Sequence, residues 1–315
     1  MAVDNQKHRK IDNPNAINDN HSRMSELKDL FDEVSRQVNA ELDWLIPAHG
    51  SGPQNLRDAM RWSLFAGGKH FRPALVFAVG RTFGADDEQL VRTAAAIEMI
   101  HTYSLIHDDL PSMDDDDLRR GRETCHKRFG EATAILAGDA LQVLSFQAIG
   151  EEERLSEWKR IKLLSGLARA AAKMVVGQQL DLEAEGKPLS LKEIENIHTN
   201  KTGALIEFSA YAGAVIAEVS DEKLTAVSEF ASKLGLLFQI TDDLLDRTQT
   251  TEQLGKTAGK DVAAGKATYP GNLGIEETRA FAREIYDEAK SALAKFDCST
   301  RSLEDLSTFL LTRYS

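Results

Sequence analysis

Cysteines and long apolar segments are both scarce in this chain. Its 315 residues include two cysteines, Cys125 and Cys298, which are far apart and form no CxxC pattern. This predicts reduced thiols in a cytoplasmic protein, not a disulfide framework or a zinc site. We find no stretch of about 20 apolar residues, which predicts that no segment spans a membrane.

Positive charge is also in short supply. The formal net charge is −12, which disfavours nucleic acid as a partner because such binding needs a basic face. The apolar fraction of 42% is sufficient for a packed core. Residues 1–24 are rich in Asn, Asp and Lys and lack an apolar centre, so we predict a disordered tail there and not a signal peptide.

Helical periodicity dominates the remainder. After Asp221, apolar residues recur at spacings of three, four or seven, as one face of a helix requires. A second helix is predicted to begin at Ser190, because Glu193 completes a capping box and an apolar stripe follows from Ile194 to Ala212. Alternating β-branched runs are scarce, so we predict no sheet. The fold class is therefore all-α, with a single helical domain over residues 25–315.

Carboxylates interrupt the apolar helix that follows Asp221. Gln239, Asp242 and Asp246 continue one polar stripe from Gly235. Asp242 and Asp246 are one turn apart, with Cβ atoms roughly 5–6 Å from each other. Two such carboxylates repel each other in a low-dielectric site unless a cation lies between them. A solvated acidic face is the alternative for this pair alone.

A second acidic cluster ends another helix. Asp108 and Asp109 close the helix, and Pro111 then forces a turn. Asp114 follows in that turn and can approach Asp108, so the oxygen ligands suit Mg²⁺ shared with phosphates. The stretch does not fit the ligand positions of an EF-hand loop. Arg119 and Arg120 come next and add cationic groups for a polyanion such as a diphosphate.

Isolated cations complete the pattern. Lys201 lies within an apolar stripe, where either an anionic ligand or snorkelling to the surface would satisfy its ammonium group. Lys69 and Arg72 belong to a basic turn before a helix, and Lys256 and Lys266 lie in a Gly-rich stretch after the second acidic pair.

These motifs resemble, in kind and order, the signatures of the trans-isoprenyl diphosphate synthases. The resemblance covers roughly residues 28–274. His70 stands where the family often has arginine, without expected consequence. The motifs are Gly67-Gly68-Lys69-x-x-Arg72-Pro73, Asp108-Asp109-Leu-Pro-Ser-Met-Asp114 followed by Arg119-Arg120-Gly121, Lys201-Thr202-Gly203, Phe238-Gln239 and Asp242-Asp243-Leu-Leu-Asp246.

The resemblance implies an all-α isoprenoid synthase fold with antiparallel helices around a central cavity, usually as a homodimer. It also implies about three Mg²⁺ ions, with Mn²⁺ able to substitute, that assist ionisation of an allylic diphosphate. Isopentenyl diphosphate would then condense with the allylic carbon, followed by loss of a proton. The residue roles carried over are Asp108, Asp114 and Asp242 as metal ligands supported by Asp109 and Asp246; Arg119, Lys201, Lys256 and Lys266 for the allylic diphosphate; Lys69, Arg72, His101 and Arg120 for isopentenyl diphosphate; and Thr202 and Gln239 beside the allylic cation.

The product length should depend on the cavity floor. Tyr103 and Ser104 precede Asp108 by five and four residues, which places them roughly 6–7.5 Å deeper along a helix. A bulky Tyr103 would stop the growing chain. The aromatic residue and the longer first motif resemble bacterial farnesyl diphosphate synthases, so we expect a C15 product. A C20 product, and Tyr103 as ordinary core packing, are the alternatives.

Two other functions are weighed against this one. A terpene cyclase would share the fold, but it needs no second basic pocket and normally has a different second metal motif. A noncatalytic prenyl-diphosphate-binding or regulatory subunit would be expected to lose one aspartate motif or the Lys201-Thr202 pair, and both are intact.

Overall fold

The computed structural model describes the backbone of residues 14–248 and 268–313, and side chains from residue 22 onward within those ranges. Helices make up nearly all of the regular structure, which confirms the all-α prediction. The elements are α1 (Pro14–Leu45), α2 (Gln54–Leu64), α3 (Phe71–Thr82), α4 (Asp87–Asp108), β1 (Leu118–Arg119), β2 (Arg122–Glu123), α5 (Cys125–Phe129), α6 (Glu131–Gly150), α7 (Glu157–Ala184), α8 (Leu191–His198), a π-helical turn (Thr199–Gly203), α9 (Ala204–Ile216), α10 (Asp221–Thr248), α11 (Tyr269–Leu273), α12 (Ile275–Leu293) and α13 (Arg301–Thr312).

Two details differ from the sequence predictions. Strands β1 and β2 pair as a short antiparallel hairpin directly after the first aspartate motif, so the prediction of no sheet is wrong for these residues. Helix α1 begins at Pro14, so the tail boundary predicted at residue 25 lies inside a helix. The Arg23 Nε atom is 2.6 Å from Asp305 Oδ1 of α13, which anchors this part of α1. The division into a tail and one domain otherwise stays a prediction.

Helix α3 lies at the centre of the molecule. Every residue from Phe71 to Gly80 is buried, as expected of a helix that is covered on all sides. Val76 and Phe77 join a core built from α1, α2, α4, α6, α7 and α9. Ala74, Leu75 and Val79 join a second core formed with α9, α10, α12 and α13. The two cores hold α4 and α10 in fixed positions, and these helices carry the two aspartate motifs.

Helices α8 and α9 are continuous through the π-helical turn. The predicted capping box is confirmed, because Ser190 Oγ accepts from Glu193 N while Glu193 Oε2 accepts from Ser190 N at 2.8 Å. The apolar stripe from Ile194 to Ala212 is buried as predicted. Lys201 lies in the π-helical turn, and such turns occur frequently at functional sites.

One helix in the described part of the chain, α6, is long and apolar enough to cross a membrane by length and composition alone. Its inner face packs on α4 through Ala134, Ala137 and Leu141, which is the behaviour of a core helix. Residues 131–150 include Glu131, Asp139, Gln142 and Gln147, so they are not an uninterrupted apolar stretch.

Candidate active site

A cavity of about 540 Å³ opens between α4, α7, the π-helical turn and α10. Both aspartate motifs and most of the predicted cations contribute to its wall. The predicted residues that line it are Arg72, His101, Tyr103, Ser104, Asp108, Asp114, Arg119, Arg120, Lys201, Thr202, Gln239 and Asp242. The structure therefore brings together nine side chains selected from five separate motifs, together with His101, Tyr103 and Ser104 from the helix that precedes the first aspartate motif.

The end of α4 and the following turn form the first acidic wall. Asp114 N donates to Asp108 O at 2.9 Å, so the turn returns to the helix end as predicted. Burial raises the pKa of Asp108 to about 6; Lys201 opposes that shift and Asp114 adds to it. Repulsion by Asp114 and Asp109 adds to the effect of burial, and a divalent cation would relieve that repulsion.

Asp109 faces away from the cavity and holds an arginine. Its carboxylate accepts from Arg119 Nε at 2.9 Å and from Arg119 Nη2 at 2.6 Å. Asp109 is buried, and burial raises its pKa while Arg119 opposes that shift. The fork geometry fixes the guanidinium plane at the cavity wall. Asp109 thus supports the site through Arg119, which sequence spacing alone does not reveal.

Lys201 enters the cavity from the π-helical turn and pairs with Asp181. Its Nζ atom is 2.7 Å from Asp181 Oδ2 on α7. This arrangement rules out simple snorkelling, because the ammonium group has a defined partner inside the cavity wall. Thr202 follows Lys201 in the same turn and also lines the cavity.

Two glycines allow the π-helical turn to lie close to its neighbours. A Cβ atom at Gly177 of α7 would lie 2.1 Å from Lys201 N and 2.5 Å from Lys201 Cα. A Cβ atom at Gly235 of α10 would lie 3.1 Å from Gly203 Cα. Helices α7 and α10 therefore contact the turn from two sides, and this contact sets the depth at which Lys201 and Thr202 enter the cavity.

We expect Gly177→Ala to lower kcat/KM by about 100-fold, because displacing a catalytic group by about 1 Å can have that effect. The backbone of Lys201 cannot give way without moving the whole turn. Gly235→Ala should have a smaller effect. Its added Cβ atom would lie 3.1 Å from Gly203 Cα, a distance that a small shift can relieve. Steady-state kinetics with thermal unfolding of both variants measures the effect. Wild-type kinetics in Gly177→Ala would contradict this account of the turn.

Helix α10 forms the opposite acidic wall. Asp242 is half-exposed at the cavity, and its Oδ1 atom is 2.9 Å from Arg313 Nη2. Gln239 is buried and lines the cavity one turn earlier. Asp246 is also buried, but it does not belong to the cavity lining. Asp243 accepts from Tyr269 N at 3.0 Å and lies 3.5 Å from His198 Nε2, so it connects α10 to α8 and α11.

Arginine and histidine side chains form a basic wall beside α3. Arg72 is buried, and burial lowers its pKa to about 10 although Glu98 and Asp242 oppose that shift. Burial likewise lowers the pKa of His101, and Arg72 and Arg120 reinforce this. The neutral imidazole is therefore favoured. Lys69 is exposed outside the cavity lining, with Nζ 4.7 Å from the centre of the Phe309 ring.

Tyr103 lines the cavity five residues before Asp108 on α4. It is 6% exposed, and its ring meets His107 edge-on at 5.5 Å between centroids. Burial raises the pKa of its hydroxyl, and a hydrogen bond with Gln142 of α6 opposes that shift. Ser104 lies beside it and donates to His101 O at 2.8 Å.

Some residues that line the cavity or contact its lining were not anticipated from the sequence. Asp181 and Gln178 belong to the polar run Gln178-Gln179-Leu180-Asp181 on α7, and this run was the available signal. Arg313 lies just after α13, far in sequence from any of the recognised motifs. Its contact with Asp242 could not be predicted, because only the folded chain brings the two residues together. Lys256 and Lys266 lie outside the described residues.

Comparisons with known proteins identify the family of this chain. The polyprenyl synthetase family model matches residues 53–301. The chain is similar to farnesyl diphosphate synthase of Escherichia coli, with 46% identity over 264 residues, 81% of this chain and 88% of the relative. It is also similar to heterodimeric geranylgeranyl pyrophosphate synthase large subunit 1, chloroplastic, of Arabidopsis thaliana, with 44% identity over 268 residues, 82% and 72% of the two chains.

A solved structure shares the fold. The geranyltransferase of Helicobacter pylori, complexed with magnesium and isoprenyl diphosphate, superposes with a TM-score of 0.78 at 31% identity, covering 90% of this chain and 97% of that one. The family resemblance inferred from the motifs is confirmed by all three comparisons. The chain belongs to the polyprenyl synthetase family and is a short-chain prenyltransferase, a polyprenyl diphosphate synthase with the all-α isoprenoid synthase fold.

Proposed function

We propose that this prenyltransferase condenses isopentenyl diphosphate with dimethylallyl or geranyl diphosphate to give farnesyl diphosphate. The observation that carries the C15 product is Tyr103, which is buried, lines the cavity five residues before Asp108 on α4 and contacts the His107 ring. A floor of this size, roughly one isoprene unit below the first acidic wall, would stop the chain at that length.

The donor set fits Mg²⁺. Asp108 and Asp114 on one wall and Asp242 on the other offer hard oxygen ligands, and a cation would offset both the burial of the Asp108 carboxylate and its repulsion by Asp114. Arg313 pairs with Asp242, so we infer that this arginine moves when Asp242 binds a cation. The magnesium-bound Helicobacter pylori relative supports this choice of metal. We propose about three ions per site and substitution by Mn²⁺.

When bound, Mg²⁺ would stabilise the negative charge that develops on the departing diphosphate. Arg119 is fixed by Asp109 and presents a permanent cation to the same group. Lys201, with the proposed Lys256 and Lys266, would hold the allylic diphosphate. Thr202 and Gln239 would direct oxygen dipoles toward the allylic cation, and the apolar lining residues Leu105, Met113 and Met174 would help to exclude water that would quench it.

Isopentenyl diphosphate would occupy the basic wall. Arg72, His101 and Arg120 line the cavity there, and the exposed Lys69 lies at its outer side. Held in this pocket, the double bond of isopentenyl diphosphate would attack the allylic carbon, with the lost proton passing to the released diphosphate. No protein side chain is assigned as the base.

Product analysis with purified protein, Mg²⁺ and labelled isopentenyl diphosphate tests the proposed function. Dimethylallyl, geranyl and farnesyl diphosphates should be supplied separately as starters. We expect the first two to give a C15 product and the third to remain unextended. Efficient extension of farnesyl diphosphate would instead identify a geranylgeranyl diphosphate synthase.

We further propose that the enzyme is a cytoplasmic homodimer that associates through α6 and α7. Large apolar side chains are exposed on these two helices, and a second copy would cover them with the same apolar surface. The heterodimeric Arabidopsis relative supports pairwise assembly. The exposed residues are Ile135, Leu136, Val143, Trp158, Ile161, Val175 and Val176.

Sedimentation equilibrium tests the dimer. We expect the wild type at twice the monomer mass and Val143→Glu largely monomeric, because a carboxylate would be buried in an apolar contact. Ile275→Glu on α12 changes an exposed apolar residue elsewhere and should remain dimeric. A dimeric Val143→Glu variant would place the interface on another surface.

A further inference from the structure

Arg313 lies just after α13, and its guanidinium is bound to one turn of α10. Its Nη2 atom donates to Phe238 O at 2.6 Å and to Thr241 Oγ1 at 2.7 Å, and its Nε atom donates to the same hydroxyl at 3.0 Å. Its Cζ atom is 4.3 Å from the centroid of the Phe238 ring. These contacts hold a permanent cation, only 12% exposed, against α10.

The same guanidinium neutralises Asp242. Arg313 Nη2 is 2.9 Å from Asp242 Oδ1, and the Asp242 side chain is 43% exposed at the cavity wall. The two hydrogens of Nη2 are donated to Phe238 O and Thr241 Oγ1, so the attraction between opposite charges holds the pair with Asp242. Asp242 can therefore leave the guanidinium without breaking any of the hydrogen bonds that fix Arg313.

Arg119 and Asp109 form an ion pair of a different kind. Arg119 directs both Nε and Nη2 at the Asp109 carboxylate, at 2.9 Å and 2.6 Å, and that carboxylate is buried. Asp109 does not line the cavity, so this pair is a fixed part of the wall. Arg313 instead directs the corresponding two nitrogens at Thr241. The pair with Asp242 is therefore exchangeable, whereas the pair with Asp109 is fixed.

A metal ion on Asp242 would compete with Arg313 for the same carboxylate. The guanidinium cannot lose its proton, so it would remain a positive charge about 5 Å from the ion. Like charges at that separation repel each other, which favours one cation on Asp242 at a time. The contact with Arg313 is therefore a cost that metal binding has to overcome.

We propose that Arg313 is a resident counter-ion of Asp242, which the metal has to displace, and that it thereby weakens the metal affinity of the second acidic wall. This inference rests on the proposed function, in which Asp242 is a metal ligand. It adds a residue outside the cavity lining to the control of metal binding. On displacement the guanidinium would keep its hydrogen bonds to Phe238 and Thr241, so no buried cation would be left without partners.

The test is Mn²⁺ binding by wild type and Arg313→Gln, measured by electron paramagnetic resonance with inorganic diphosphate as the anion. The sharp signal of free aqueous Mn²⁺ is lost when the ion binds, so Kd is obtained without turnover. We expect Arg313→Gln to lower Kd about tenfold, the order of effect expected when one charge is removed about 5 Å from a divalent ion. Arg313→Met also removes the charge, should give the same decrease, and carries the test if Arg313→Gln fails to fold.

A double-mutant cycle and a matched control complete the experiment. Introduced into Asp242→Asn, Arg313→Gln should change Kd by less than about twofold, because the shared carboxylate is gone. Arg81→Gln is the matched control, since Arg81 also lies over a phenylalanine ring, Phe77, and binds a carboxylate, Asp87, outside the cavity. Its Kd should equal that of the wild type.

An unchanged or higher Kd in folded Arg313→Gln and Arg313→Met would overturn the proposal, because Arg313 would then not oppose metal binding. A tenfold decrease that persisted in Asp242→Asn would also overturn it, since the effect would not act through Asp242. Condensation activity of the wild type is scored separately. A wild type that binds Mn²⁺ with diphosphate but forms no prenyl product would contradict the proposed function and leave the binding comparison valid.

Discussion

Replacing Asp108 by Asn is expected to reduce turnover by about 1,000-fold or more, because one anionic ligand is lost where the departing diphosphate needs its metal. The substitution preserves shape and removes the charge. The fold should be retained, because burial disfavours the charged form of Asp108 and raises its pKa. A neutral amide avoids that cost and also removes the repulsion by Asp114. Steady-state kinetics over a Mg²⁺ titration, with thermal unfolding, measures both effects.

Asp115→Asn is the matched control for Asp108. Asp115 belongs to the same acidic turn but is exposed and does not line the cavity. Its turnover should stay within about twofold of the wild type, as for most exposed substitutions. Near-normal turnover in Asp108→Asn would remove Asp108 from the metal site.

Replacing Tyr103 by Ala is expected to change the product from C15 to C20 or longer. Loss of the phenol ring deepens the cavity along α4 and α6, and the growing chain can then pass His107. The truncation should also lower the free energy of unfolding by about 3–5 kcal/mol, as for other buried aromatic residues. Chromatography of the dephosphorylated products from a geranyl diphosphate starter gives the chain-length distribution.

Tyr103→Phe separates the ring from its hydroxyl. The phenyl group keeps the floor and loses only the hydrogen bond with Gln142, so the product should remain C15. If Tyr103→Ala also gave only C15, the floor would lie elsewhere and Tyr103 would be ordinary core packing.

The fold and the two acidic walls were predictable because their signals are local. Helical periodicity, Pro111 and the spacing of Asp108, Asp114, Asp242 and Asp246 follow from steric and electrostatic rules that act within a few residues. The capping box at Ser190 is of the same kind. Such features can be derived without knowing which helices meet.

Other features depend on contacts between distant segments. Asp181 acquires its role by facing Lys201 from α7, Arg313 by reaching Asp242, and Gly177 by touching the backbone of Lys201. Asp109 was expected to support the metal, and the folded chain shows that its carboxylate binds Arg119. Glu98 resembles any polar residue on a helix until its burial beside His70 is known.

The most direct test of the account is the chain length of the wild-type product. Purified protein with Mg²⁺, isopentenyl diphosphate and geranyl diphosphate should yield farnesyl diphosphate, and farnesyl diphosphate offered as the starter should remain unextended. Efficient conversion of farnesyl diphosphate to a C20 product would contradict Tyr103 as the floor, and no condensation with any starter would contradict the catalytic assignment of the cavity.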